Sequence, residues 1–107
     1  MKNLVKLLPI IFLLSLTQKA FADDYVITLS DKKFSPLELT IPANVKVKVL
    51  VKNLDDAPTE FESSELNREK IIDAKSDAII YLGPLEAGKY SYYDDFNREN
   101  KAFIIVK

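Results

Sequence analysis

The stretch GKYSYYDDFNRE, residues 88–99, decides how this chain is read. After Gly88 the aromatic residues Tyr90 and Tyr92 fall two apart, with Lys89 and Ser91 between them, which is the period of a β-strand rather than of a helix. Tyr90 and Tyr92 then face a core and Tyr93 faces the other way. Asp94 and Asp95 follow at once, residues that commonly end a strand and open a turn. The segment is therefore a late strand, Gly88 to Asp94, that hands two adjacent carboxylates to a turn. A last strand, Lys101 to Val106, comes after it.

The same period runs upstream. VKVKVLVK, residues 45–52, places Val45, Val47, Val49 and Val51 on one face and Lys46, Lys48 and Lys52 on the other, so one side lies on a core and the lysines stand in water. Weaker alternation marks Tyr25 to Ser30 and Leu37 to Ile41. Further strands are predicted at Val45 to Asn53, Glu60 to Glu62 and Asp77 to Leu82. Turn chemistry separates the runs at Ser35-Pro36, Pro42-Ala43-Asn44, Asp55 to Pro58, Gly83-Pro84 and Ala87-Gly88. Seven short strands without a long helical pattern predict an all-β, antiparallel Greek-key β-sandwich. Only SSELNREKII, residues 63–72, departs from the pattern: Ser63 or Ser64 is placed to cap a helical turn over Glu65 to Lys70. The predicted core takes Val26, Phe34, Leu39, Ile41, the four valines, Phe61, Ile79, Tyr81, Leu85, Tyr90, Tyr92 and part of the run from Phe103 to Val106.

Residues 1–22, MKNLVKLLPIIFLLSLTQKAFA, have the build of an export signal: Lys2 and Lys6, a short apolar run from Leu7 to Leu16, and Ala20-Phe21-Ala22 as a small-x-small cleavage site. The run is shorter than the roughly 20 residues a spanning helix needs. Cleavage after Ala22 predicts an exported periplasmic domain, residues 23–107, with no membrane insertion. Three lysines leave with the segment, so 12 basic residues face 16 acidic ones and the domain carries a net charge of −4. That balance argues against a nucleic acid or an anionic membrane as partner. The chain has no cysteine and no histidine. Thiol or imidazole nucleophiles, zinc fingers and His-ligated haem are thereby excluded, and any bound metal must be held by oxygen.

The order FSPLELTIPANVKVKVLVKNLDDAPTEFES, then LGPLEAGKYSYYDDF, then AFIIVK resembles the cupredoxin-like domain over nearly the whole of residues 23–107. EFESSELNREK followed by LGPLEAGKY is similar, more narrowly, to the small periplasmic cupredoxin-like proteins associated with bacterial iron uptake, including the N-terminal domain of the Efe-type periplasmic component. In copper-carrying members the late strand ends in cysteine, with histidine three residues on, methionine beyond it, and a further histidine after an upstream proline. The resemblance lays Asp94, Asn97, Ala102 and Thr59 on those four positions. All four depart from the pattern, and a type 1 copper centre, which needs thiolate and imidazole, is not expected.

What the resemblance implies instead is an acidic loop end. Glu60, Asp94 and Asp95 are the leading candidate metal ligands, with Glu62 and Glu99 behind them. Oxygen donors of this kind suit iron or another divalent or trivalent cation. Crowded carboxylates raise one another's pKa unless a cation neutralises them, a task open to Arg68 and Arg98. Alternation complicates the set: if Phe61 is core, Glu60 and Glu62 both point outward. Glu65 and Glu69 chelate only if their segment is helical. The implied role is an accessory one in iron uptake or metal handling, presenting an oxygen-ligated ion to a membrane permease or periplasmic partner protein. A metal-free module that docks through the acidic end around Phe96 is the alternative. A ferrous-iron oxidase fits less well, since the chain has no redox thiol or imidazole.

Overall fold

In the computed structural model of the chain the described residues are 25–107, so the export-signal expectation and its cleavage site lie outside them. The described residues form nine strands: β1 Val26–Ser30, β2 Lys33–Ser35, β3 Glu38–Ile41, β4 Val47–Asn53, β5 Thr59–Ser63, β6 Arg68–Ile72, β7 Ser76–Leu82, β8 Gly88–Asp94 and β9 Asn97–Val106. They make an all-β sandwich of two sheets, ordered β2-β1-β4-β7 and β3-β9-β8-β5-β6. Most pairs are antiparallel, while β1 runs parallel to β4 and β3 parallel to β9.

The strict alternation of β4 sets the core. Val47, Val49 and Val51 are buried with Ile27 and Leu29 of β1. From the other sheet come Phe61, Tyr92, Ala102, Ile104 and Val106. Tyr92 is the hub: its ring stacks on Phe61 at a centroid distance of 4.5 Å and tilts against Phe34 at 5.0 Å.

Three expectations are corrected. The first is the phase of β7. Alternation predicts Ile79 and Tyr81 inside, yet they are 47% and 48% exposed, while Ile80 and Leu82 are buried. Register decides it, because Val49 pairs with Ile80 and Val47 with Leu82, and cross-strand partners share a face. Along β1, likewise, Ile27 and Leu29 take the core and Val26 is only half-buried. Val45, also predicted in the core, lies before the start of β4 and is exposed.

The second correction concerns residues 63–72. They form no helix among the described residues. Ser63 Oγ does accept the Leu66 N–H at 3.0 Å, as a cap would, and Asn67 N–H reaches Ser64 O at 3.2 Å. Asn67 then turns to φ 56°, which ends the turn, and β6 runs back along β5. The β-branched pair Ile71-Ile72 favours this strand, and Ile72 is buried opposite Thr59. The third is that β2 is a strand of its own and β9 begins at Asn97 rather than Lys101.

Candidate functional site

Alternation along two neighbouring strands builds the acidic site. In β5, Thr59, Phe61 and Ser63 point into the sandwich, so Glu60 and Glu62 project from the outer face of the five-stranded sheet. In β8 the buried Tyr92 carries Asp94 inward with it, two residues on, and Asp95 falls outward. Adjacent aspartates thus face opposite sides of the sheet. The Asp95 N–H donates to Glu60 O at 2.9 Å and clamps the two segments together.

Of the sequence-predicted residues, Glu60, Glu62 and Asp95 converge: one carboxylate oxygen from each lies within 4.8 Å of the other two. Asp94 does not join them. It is buried, and its Oδ1 accepts the backbone N–H groups of Glu60 at 3.0 Å and Phe96 at 2.9 Å. Glu99 lies apart, lining a groove with Phe34, Leu37 and Asn100.

A fourth carboxylate belongs to the group. Glu69 of β6 is the direct cross-strand partner of Glu62. The helical reading of its segment hid this; the signal was the hairpin register, which puts Glu69 on the face of Glu60 and Glu62. Glu65 is engaged elsewhere, accepting the N–H and hydroxyl of Ser91 at 2.6 and 2.9 Å, and those bonds lower its pKa.

The electrostatics are those of a crowded acidic site. Burial, then the hydrogen bond and charge of Glu69, then Asp95 and Glu62, push the Glu60 carboxyl up from 4.5 to about 7. Burial and the charges of Glu69 and Asp95 raise Glu62 as well, against the opposing pull of Arg98. Arg98 pairs with Asp95 at 2.7 Å from a largely exposed position. The Arg68 guanidinium donates to the carbonyls of Tyr81 and Asn67.

At the neighbouring end of the sandwich a groove of about 590 Å³ is lined by Leu29, Asp55, Pro58, Asp94 and Phe96 among others. Phe96 stands 54% exposed on its rim.

The sequence profile of the cupredoxin-like domain matches residues 4–106. The chain belongs to the cupredoxin-like domain family. An uncharacterized protein of Rickettsia prowazekii (strain Madrid E) is 41% identical over 81 residues, covering 75% of this chain and 65% of that protein. This cupredoxin-like chain therefore spans about two thirds of that relative's length. Among solved structures, the metal binding domain of the Cu(I) exporting P-type ATPase CopA from Streptococcus pneumoniae D39 superposes with a TM-score of 0.68 at 14% identity, over 77% of this chain and 82% of that one. Amicyanin from Paracoccus versutus gives 0.65 at 22% identity, over 80% and 83%. A purple cupredoxin from Nitrosopumilus maritimus gives 0.60 at 20%, over 78% and 100%. These likenesses establish the fold.

A type 1 copper centre does not fit this cupredoxin-like domain. The chain has neither cysteine nor histidine. Of the four positions the resemblance assigns to copper ligands, Ala102 and Thr59 are fully buried and Asp94 is committed to two backbone amides. None of the four offers a soft donor.

Proposed function

We propose that this cupredoxin-like domain is an exported accessory protein of metal handling, and that it holds a hard cation on the outer face of its five-stranded sheet. Glu60, Glu62 and Asp95 are the ligands, and Glu69 is the neighbour able to join them. The observation that carries this reading is the convergence of three carboxylate oxygens within 4.8 Å of one another. Burial comes first among the causes that push the Glu60 carboxyl up to about 7, and a cation there would relieve the carboxylate repulsion that adds to it. All donors are oxygen, which favours Fe(II), Fe(III), Mn(II) or Ca(II) over Cu(I). Iron as the cargo, a periplasmic setting and a membrane permease as recipient are the finer parts of the proposal. They rest on the resemblance of EFESSELNREK and LGPLEAGKY to the iron-uptake type.

The test is calorimetric titration with Mn(II), and with Fe(II) under anaerobic conditions, of the chain and of its Glu60→Gln/Glu62→Gln variant. Saturable binding lost in the variant supports the proposal; binding that survives the variant refutes this site.

A second reading has its own observation. The exposed Phe96 on the rim of the 590 Å³ groove, with Asp55 and Asp94 in the lining, favours a docking module that needs no metal. Phe96→Ala would then abolish partner capture while leaving cation binding untouched.

A further inference from the structure

The groove of about 590 Å³ at the end of the sandwich has walls held in place by hydrogen bonds. Asp31 and Lys32 close the β1–β2 turn at φ 54° and 63°, and their N–H groups donate to Asp55 Oδ1 at 2.7 Å and Oδ2 at 2.8 Å. That carboxylate ties the turn to the loop between β4 and β5. The buried Asn53 fixes the loop: its Oδ1 accepts the Asp55 N–H at 3.0 Å and its Nδ2 donates to Ala57 O at 2.9 Å. A concave site whose walls are already ordered loses little further freedom on taking a ligand.

The lining is apolar and acidic together. Leu29, Ala57, Pro58 and the exposed Phe96 supply the apolar part. Asp31, Asp55, Asp56 and Asp94 stand against one lining cation, Lys32. The donors that hold Asp55 and Asp94 are backbone amides, which are neutral, so both carboxylates keep their charge. Beside the groove the Lys75 ammonium donates to the Leu54 carbonyl at 2.7 Å. Asp23 and Asp24, which precede the described residues in the sequence, have the same sign as the lining, and residues 23–107 carry 16 acidic against 12 basic residues. Asp94 is the second pointer to a ligand. It lines the groove at only 5% exposure, and both of its hydrogen bonds fall on Oδ1. Oδ2 is left without a donor among the described residues, and a buried oxygen in that position gains most from a donor that a ligand brings.

We propose that this groove binds a linear aliphatic polyamine. Methylene stretches would lie on Pro58 and Phe96, one ammonium would donate to Asp94 Oδ2, and the others would face Asp31 and Asp56. The Phe96 ring offers a cation its face. Asp55 gives both oxygens to the turn, and Asp94 gives one of its own to Glu60 and Phe96, so these carboxylates surround a chain of spaced charges and do not close on a single ion. A groove of about 590 Å³ is of the size that small-molecule sites have, about 300–1,000 Å³. The inference does not rest on the cation at Glu60, Glu62 and Asp95, and it seats a small molecule where the second reading seats a partner protein.

The test titrates spermidine into the full chain by calorimetry and follows the isotope-labelled chain by NMR. The proposal expects saturable one-to-one binding, with the largest shifts at the amides of Asp31, Ala57 and Phe96. It expects Asp31→Asn/Asp56→Asn, both at exposed positions, to weaken binding about tenfold. Phe96→Ala should weaken it about fivefold. Glu60→Gln/Glu62→Gln should leave it unchanged, and Mg(II) at equal concentration should not displace the polyamine. Absence of saturable binding overturns the proposal, as does full affinity in Asp31→Asn/Asp56→Asn. Displacement by equal Mg(II) overturns it in favour of an adventitious counter-ion only. Loss in Glu60→Gln/Glu62→Gln overturns it by moving the polyamine to the outer face of the five-stranded sheet. Trilysine that binds the groove more than tenfold tighter than spermidine overturns it in favour of a partner protein.

Discussion

The Asp94 carboxylate accepts the backbone N–H of Glu60 across the sheet at 3.0 Å, and the same oxygen accepts the Phe96 N–H at 2.9 Å. A residue that stands at the end of the strand therefore acts as a brace for the acidic site and not as one of its ligands. Asp94→Ala would orphan both donors, each costing about 1–3 kcal/mol when buried, so a loss of about 2–6 kcal/mol is expected in chemical denaturation. Asp94→Asn, which keeps the accepting oxygen, should lose less than half of that.

The raised Glu60 pKa makes a prediction with a definite sign. A carboxyl whose folded value is about 7 keeps its proton in the native state after the unfolded chain, near 4.5, has released it. The native state then binds more protons, so this group's contribution to stability falls as pH rises from about 4.5 to about 7. Glu60→Gln removes the titration. Its Tm relative to the parent should climb across that window and level off above it, measured by thermal melts at matched ionic strength. Parallel curves for the two proteins would contradict the assignment.

Arg98 competes with any cation for Asp95, which it contacts at 2.7 Å. Breaking an exposed pair of this kind frees at most about 1 kcal/mol. Arg98→Ala should accordingly tighten Mn(II) binding by up to about fivefold, and weaker binding would place the ion elsewhere.

Tyr92 separates packing from polarity in the core. Its hydroxyl is buried with no hydrogen-bond partner, and burial pushes its pKa up. Tyr92→Phe should be neutral or stabilising by up to about 1 kcal/mol, because an unmatched buried hydroxyl is removed. Tyr92→Ala, which empties the space between Phe34 and Phe61, should cost about 3–5 kcal/mol.

How much of this was legible in the sequence varied with the residue. The sheet class and β4 were plain, since VKVKVLVK allows one phase only. β7 was not: DAIIYL carries apolar residues on both faces, and only pairing with Val47 and Val49 selects Ile80 and Leu82. The opposite facing of Asp94 and Asp95 was available from Tyr92, because a core residue at 92 sends 94 inward and 95 outward. Glu69 was hidden for another reason. A serine cap and a glutamate four residues after Glu65 fit a helix locally, and the hairpin that brings Glu69 opposite Glu62 depends on cross-strand register.

The central claim is that the cation site lies outward at Glu60, Glu62 and Asp95 rather than inward at Asp94. Calorimetric titration of Mn(II) into the parent, a Glu60→Gln/Glu62→Gln/Asp95→Asn variant and Asp94→Asn tests it directly. Saturable one-to-one binding that vanishes in the triple variant and persists in Asp94→Asn is the predicted result. Binding retained by the triple variant, or no saturable heat from the parent, would contradict the claim.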